Sequence, residues 1–332
     1  MPILCSIPLK PFPLNSVSDV WITGWEVAIP ASSRGVLKRF NSSGTLLNTI
    51  TYASDRPTAF TLERDGTATV TANPYPYVNT NTCYIRKYDS SLSSIWSETE
   101  TAANLFDICV GLDDPGVTYV LKYNTSATPY TTVRKYDIDG NLLTTFTFTA
   151  STYVVTKIFV DYGGNIYIND NASRIRKYNS AGSSLLTVTL PDQVNDISVD
   201  GDENIYAVTN RIGSVNSLYK INSSGTTVWS KNHGAALNAV YVDVNENIYA
   251  CGTLSGSVTT RKYNSAGTLL LSYGSGGNAT NMQVDNNGNS YIGYDSGEAN
   301  QLKKYNSSGA LQWEVSIGTT YLTTEIGILN KG

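Results

Sequence analysis

Few residues in this 332-residue chain are of the types that commonly do chemistry. There is one histidine, His233, and there are four cysteines, Cys5, Cys83, Cys109 and Cys251. A zinc site needs such ligands at short spacings, and a catalytic thiol or hydroxyl needs a base within hydrogen-bond reach. No two cysteines form a C-x2-C pair, and His233 lies in the loop-like stretch KNHGAAL. We therefore expect unpaired thiols, a surface histidine and no zinc site.

The acidic stretch DGDEN at 200–204 resembles the start of a calcium-binding loop. Such a loop ends in a bidentate acid at its twelfth position, which counted from Asp200 is Arg211. Similar stretches, DYGGN and DVNEN, begin at Asp161 and Asp243 and are typical of turns. The sequence also contains no G-x-S-x-G, H-E-x-x-H or P-loop pattern. We expect a non-enzymatic protein that needs no cofactor.

Basic residues recur along the chain in a way that could form a cationic ring for a polyanion. One column holds Arg39, Lys87, Lys135, Lys177, Lys220, Lys262 and Lys304, and the position before each is basic in six of the seven copies. Adjacent strand residues point to opposite faces, so both columns cannot line one surface. The formal net charge is −4, which does not favour a nucleic-acid partner. We expect both columns to have local acidic partners.

The residue after each basic column marks a repeat. These residues are Phe40, Tyr88, Tyr136, Tyr178, Ile221, Tyr263 and Tyr305, with steps of 48, 48, 42, 43, 42 and 42 residues. Units of this length are typical of propeller blades. Stretches such as FNSSGTLL and YDIDGNLL follow, and their glycine indicates a hairpin because glycine adopts positive φ at little cost.

A second signature precedes the first in each unit. KIFVDYGGNIYI and DISVDGDENIYAV both read as an apolar strand, an Asp-led turn and a strand that carries tyrosine. Each unit is thus a four-stranded antiparallel meander, with strands a to d. The last a strand, with Ile326 and Ile328, is not followed by a b, c or d strand. The first unit lacks an a strand and begins with DVWITGW, which matches a b strand. We predict that Thr324–Leu329 pairs with Val20–Gly24 and closes the ring.

The sequence thus predicts an all-β, seven-bladed β-propeller of four-stranded antiparallel blades over residues 17–332, preceded by an extended arm at 1–16. The motifs D..GN.Y and K(Y/F)(D/N)..G...W resemble the seven-bladed propeller repeats of the SBBP and NHL types over about residues 17–330. The resemblance implies the fold and leaves the activity open, because propellers host many unrelated functions.

The loops between strands b and c are long in the first three units and carry Tyr75, Tyr77 and Tyr130 beside prolines. Proline lowers the entropy cost of presenting a tyrosine, and tyrosine is favoured at interfaces. The loops either bind a partner or only cover the rim. The arm 1–16 has four prolines and apolar residues that include Phe12, so we expect it to lie on a protein surface, its own ring or a neighbour's.

We therefore expect a structural or binding propeller, such as a virion-associated component of a phage tail or capsid, that makes protein, receptor or glycan contacts. A secreted or cell-surface adhesin-like propeller is the alternative. A second alternative is a small-molecule enzyme that uses the top central pocket, which a buried polar cluster at the channel mouth would favour. The sequence has no run of 18 apolar residues, so it predicts no membrane span, and no signal peptide is evident. From the expected roles, we predict a virion or extracellular location.

Overall fold

The computed structural model describes most of the chain as strands and turns. The described residues are 16–28, 32–52, 55–63, 65–74, 82–101, 103–110, 116–124, 131–148, 155–170, 173–210, 217–253, 258–275, 277–295, 300–318 and 325–331. In this part of the chain, no helix is long and apolar enough to cross a membrane. Tyr75, Tyr77, Tyr130 and Phe12 lie outside the described residues, as does the arm up to residue 15.

The strands form seven antiparallel sheets of four. The first blade consists of β28 (Glu325–Lys331), β1 (Ser16–Ala28), β2 (Ser32–Asn41) and β3 (Leu46–Tyr52). The second and third are β4 (Asp55–Leu62), β5 (Ala68–Pro74), β6 (Thr82–Tyr88), β7 (Ser94–Thr101), then β8 (Ala103–Val110), β9 (Thr118–Asn124), β10 (Thr131–Tyr136), β11 (Leu142–Phe148). The fourth and fifth are β12 (Val155–Val160), β13 (Ile166–Asp170), β14 (Arg174–Tyr178), β15 (Ser184–Thr189), then β16 (Val194–Val199), β17 (Ile205–Thr209), β18 (Leu218–Ile221), β19 (Thr227–Lys231). The last two are β20 (Leu237–Val242), β21 (Ile248–Gly252), β22 (Thr260–Tyr263), β23 (Leu269–Tyr273), then β24 (Asn278–Val284), β25 (Ser290–Asp295), β26 (Asn300–Tyr305), β27 (Leu311–Gly318).

One edge strand of every sheet, strand a of the blade, lies at the centre of the ring. β28 contacts β4, and these contacts continue through β8, β12, β16, β20 and β24 and return to β28. We call these seven the inner strands. The outer strands, at the opposite edge of each sheet, are β3, β7, β11, β15, β19, β23 and β27. The architecture is therefore the predicted seven-bladed β-propeller.

The first blade is completed by the end of the chain, as predicted. β28 pairs antiparallel with β1, with Val20 opposite Ile328 and Thr23 opposite Glu325. The pairing extends further than expected, to Ser16 opposite Lys331. Because β1 is paired on both sides, the closure removes two strand edges that would otherwise be open.

Successive blades are held together at the turns between strands c and d. Gly140 adopts a φ of +88°, and a Cβ atom there would lie 2.8 Å from the Trp96 ring of the preceding blade. The Trp96 indole also donates a hydrogen bond of 2.9 Å to the Ile138 carbonyl. Trp313 covers Gly44 in the same way. The repeated glycine is thus required both by the turn and by the neighbouring ring.

Candidate functional site

The first basic column is explained by a structural motif within the blades. The Lys177 ammonium lies 5.2 Å from the centroid of the Tyr167 ring. The Tyr167 hydroxyl donates to Asp161 Oδ2 at 3.0 Å, and Asp161 Oδ1 accepts the backbone N–H groups of Gly163 and Asn165. Burial, followed by the charge of Asp161, raises the pKa of Tyr167. The lysine, tyrosine and aspartate of the repeat therefore stabilise one another.

The same motif recurs in three further blades, as Lys220/Tyr206/Asp200, Lys262/Tyr249/Asp243 and Lys304/Tyr291/Asp285. Asp200, which begins the calcium-like stretch, accepts backbone N–H groups from residues 202 and 204, as Asp161 does in its own turn. Its carboxylate is thus used as a turn residue.

Four of the six basic residues in the second column contact an acid, and Lys38 instead donates to the Ile317 carbonyl. Arg86 contacts Asp55 at 2.9 Å, and Lys303 contacts Glu314 at 3.2 Å. The Arg134 guanidinium forms a short ion pair with the buried Glu100. The two columns therefore do not form one cationic surface for a polyanion.

The expectation that His233 is a surface residue is wrong. Its side chain is buried, with Nδ1 3.1 Å from Ser217 Oγ and Nε2 2.8 Å from the Tyr263 hydroxyl. Burial, with a smaller contribution from the charge of Arg261, lowers the pKa of His233 to about 4. The ring is thus a neutral link between Ser217, just before β18, and Tyr263 of β22 in the next blade. Cys83, Cys109 and Cys251 are buried thiols, and Cys5 lies outside the described residues.

The inner strands contain a polar ring that sequence analysis did not find. Six of the seven have a β-bulge just before one position, so these positions lie at the same level of the channel. With the matching residue of β28, they are Glu325, Ala59, Asp107, Lys157, Asp196, Ala239 and Asn281. All seven are at most 2% exposed. We call the four ionisable members, Asp107, Lys157, Asp196 and Glu325, the inner cluster.

The three acids of the inner cluster join one blade to the next. Asp107 Oδ2 accepts the Ile158 N–H at 2.8 Å, and Asp196 Oδ2 accepts the Val240 N–H at 2.7 Å. Glu325 accepts the Phe60 N–H in a short hydrogen bond. These N–H groups belong to the free edge of the next inner strand, where no further strand can bond them. The carboxylates therefore lie at the channel side of the inner strands.

The remaining polar atoms of the inner cluster have no hydrogen-bond partner. They are Asp107 Oδ1, Asp196 Oδ1, Glu325 Oε1 and Lys157 Nζ. Burial raises the pKa of Asp107 and of Asp196 to about 7, and it raises the pKa of Glu325 well above its usual range. Burial also lowers the pKa of Lys157, against the opposing charges of the three acids. Burial is thus the main influence on the pKa of all four groups, and Lys157 interacts electrostatically with the three acids.

A signal for the cluster was present in the sequence. An ionisable residue stands directly before the first apolar residue of strand a in FDICV, TKIFV and NDISV. Its type changes from blade to blade, so it does not appear as a repeated column. The residues predicted for partner contacts, Tyr75, Tyr77, Tyr130 and Phe12, stay predictions.

In contrast to the buried inner cluster, the outer strands carry exposed apolar side chains around the ring. Ten aliphatic side chains at the first or second position of these strands are 48–55% exposed. We call them the apolar belt: Leu46, Leu47, Ile95, Leu142, Leu143, Leu185, Val228, Leu269, Leu270 and Leu311. Every blade contributes at least one of them. Since the outer strands are sheet edges, the belt combines apolar side chains with an unpaired strand edge among the described residues.

Comparison with known proteins supports the fold alone. The chain is similar to a crystallised protein of unknown function from Bacteroides caccae, with 10% sequence identity, a TM-score of 0.60, and coverage of 95% of this chain and 100% of that one. It is also similar to a protein from Lactobacillus plantarum, with 12% identity, a TM-score of 0.69 and the same coverage. No protein-family model and no curated protein matches the chain.

Proposed function

We propose that this protein is a non-enzymatic structural and binding propeller that works as one component of a larger assembly. The apolar belt is the observation that carries the proposal. Every blade exposes at least one of these aliphatic side chains beside an open strand edge, and an open edge of this kind invites another chain. The repeated lysine, tyrosine and aspartate residues support the proposal too, because they bond one another within the blades and thus have a structural role.

The occupant that we propose for the belt is the N-terminal arm of a neighbouring copy. Residues 3–9 read ILCSIPL, and Pro8 is their one residue without a backbone N–H. Successive residues of an extended chain point their N–H groups to opposite sides, so the odd-numbered residues can all offer theirs to one edge. The arm is thus suited to add a strand to an outer strand and to cover the belt with its apolar side chains.

An assembly of many copies suits a virion-associated component of a phage tail or capsid, and this is the role that we propose. The resemblance to SBBP and NHL repeats concerns the fold and leaves this role open. In this role the tyrosine loops would contact a protein, receptor or glycan, without nucleic acid or a cofactor. A cell-surface adhesin-like propeller would use the same loops on an exported chain.

The test is the molar mass of the purified chain over a range of concentrations, measured by light scattering. We expect the full chain to associate, and deletion of residues 2–14 to give a folded monomer. The double variant Leu143→Thr/Leu185→Thr should weaken association, whereas the control Thr187→Ala, an exposed residue of the same outer strand as Leu185, should not. A full chain that stays monomeric at every concentration contradicts assembly between copies.

A second candidate function is favoured by the inner cluster. Buried ionisable groups with shifted pKa values are common in sites that bind or transform small molecules. The cluster lies at the ring centre, where propeller sites are expected. We therefore propose small-molecule binding as the second candidate function.

A further inference from the structure

His233 occupies a repeat position at the seam between two successive blades. It comes four residues after Trp229 of β19, and Glu100 comes four residues after Trp96 at the equivalent place of β7. Both side chains are buried, and both form a hydrogen bond with a tyrosine of the next blade. The two seams can therefore be compared residue by residue.

At the first of these seams, an anion of the second blade contacts cations of the third. The Tyr136 hydroxyl donates to Glu100 Oε1 at 2.7 Å, and Arg134 forms a short ion pair with the same oxygen. Lys122 Nζ lies 2.7 Å from Glu100 Oε2. Arg134 also donates a hydrogen bond to the Tyr136 hydroxyl. Charges of opposite sign thus hold these two blades together.

At the second seam, histidine stands in place of the acid. Arg261 and Tyr263 of the sixth blade take the places of the arginine and the tyrosine that contact Glu100. His233 Nε2 lies 2.8 Å from the Tyr263 hydroxyl, and Arg261 donates a hydrogen bond to the same hydroxyl. Among the described residues, the charges that act on His233 are the cations Arg261 and Lys231. This seam therefore suits a neutral ring and opposes a charged one.

A protonated His233 ring cannot satisfy the same partners. In the neutral ring one nitrogen donates and the other accepts, so Nδ1–H can donate to Ser217 Oγ at 3.1 Å while Nε2 accepts from the Tyr263 hydroxyl. In the imidazolium both nitrogens donate. Nε2–H then points at an oxygen that already accepts from Arg261, and the Tyr263 hydroxyl loses the acceptor for its proton. Protonation thus replaces a hydrogen bond across the seam with the approach of two cations.

We propose that His233 is an acid-sensitive latch between the fifth and sixth blades, which holds the seam when its ring is neutral and releases it when the ring takes up a proton. Ser217 and the loop of His233 belong to the fifth blade, whereas Arg261 and Tyr263 belong to β22 of the sixth. Loss of the link therefore loosens the contact between these blades. This inference goes beyond the proposed assembly role and does not depend on it.

The direction of the pH dependence follows from the surroundings of the ring. Burial, followed by the charges of Arg261 and Lys231, lowers the pKa of His233 from the ordinary value of 6.5 to about 4, against a hydrogen bond to the Lys231 backbone. The contribution of the neutral ring is fully present above pH 6.5, and it is lost as the pH falls from 6.5 to about 4. At pH 5, about 1.5 units below the ordinary pKa, opening of the seam should be favoured about thirtyfold relative to pH 8.

The chain has a single histidine, so the protonation of the latch can be measured directly. The full chain, labelled with 13C at histidine Cε1, is titrated by NMR between pH 8 and pH 4. We expect the ring to be neutral still at pH 5. Tyr263→Phe removes the donor to Nε2 and should raise the pKa by about one unit, whereas the matched control Tyr136→Phe should leave it unchanged. A ring that titrates near pH 6.5 in the folded chain overturns the proposal.

Release of the seam is measured by hydrogen exchange of backbone N–H groups at pH 5 and pH 8, after correction for the intrinsic effect of pH. Exchange in 229–237 and 258–263 should rise about thirtyfold at pH 5, relative to 94–101 and 131–136 at the Glu100 seam. His233→Gln keeps an oxygen for the Tyr263 hydroxyl and cannot titrate, so it should abolish the rise. A rise that persists in this variant, or one that is equal at both seams, contradicts the latch. If His233→Gln does not fold, the comparison of the two seams in the unmodified chain decides.

Discussion

Removing one buried charge from the inner cluster should change how stability depends on pH. Asp196 is 1% exposed, and burial raises its pKa from the ordinary value of 3.8 to about 7, although Lys157 opposes the shift. The folded protein thus favours the protonated acid. Its contribution to stability is fully present below pH 4, where the unfolded chain is protonated too, and it is lost as the pH rises through about 7.

The size of this effect follows from the shift. About three pKa units, at 1.36 kcal/mol each, give an upper limit of about 4 kcal/mol for the cost of ionising Asp196 in the folded chain. Asparagine removes the ionisation and keeps an oxygen for the Val240 N–H, which Asp196 accepts at 2.7 Å. Lys157 loses one opposite charge in the variant, so we expect a net gain of roughly 2 kcal/mol at pH 8, relative to pH 4.5.

The assay is urea unfolding at equilibrium from pH 4.5 to pH 8.5, with Asp196→Asn measured beside the unmodified chain and the control Glu98→Gln. The free-energy difference between Asp196→Asn and the unmodified chain should move in favour of the variant between pH 5 and 8. A difference that is constant across this range would refute the assigned burial cost.

Three further predictions test the ring. Deleting residues 322–332 removes β28, exposes the edge of β1 and should lower the thermal midpoint by many degrees; an unchanged midpoint contradicts closure by β28. Gly140→Ala places a Cβ atom against Trp96 at a φ of +88° and should cost about 1–3 kcal/mol in urea unfolding, with an effect near zero arguing against this packing. Tyr206→Phe removes the 2.9 Å hydrogen bond to Asp200 and should cost about 0.5–1.5 kcal/mol by the same assay, because Asp200 Oδ2 keeps the Asn204 side chain as a donor at 2.9 Å; an effect near zero argues against the bond.

The fold could be predicted because every blade needs the same local chemistry. The tyrosine spacing gives the blade length, and the Asp-led turns and the glycine turns recur since each performs the same backbone task. Ring closure follows from one incomplete unit at each end, and Val20 opposite Ile328 agrees with the predicted pairing. The basic columns were also interpreted correctly, because adjacent strand residues cannot share a face.

The inner cluster could not be predicted by the same method. Its position holds Glu, Ala, Asp, Lys, Asp, Ala and Asn around the ring, so alignment of the repeats shows no shared residue there. Sequence also does not reveal that an acid on one inner strand bonds the backbone of the next. His233 was misplaced for a related reason. Its loop resembles a surface turn, but Ser217, just before β18, and Tyr263 of β22 in the next blade hold its ring.

A repeat protein separates two kinds of residue by their positions. Residues that every copy keeps, such as the turn aspartates and the stacked lysines, satisfy needs that every blade has. Residues that differ between blades at one structurally equivalent position do not serve a packing or turn requirement that all blades share. Two of the seven copies, with Ala59 and Ala239, show that a small residue packs at the inner level. Asp107, Asp196 and Glu325 each bond the next blade, but the unsatisfied atom that each of them and Lys157 keeps costs stability. That excess cost is the physical reason to look for a ligand at the inner cluster, and to look for protein contacts at the apolar belt.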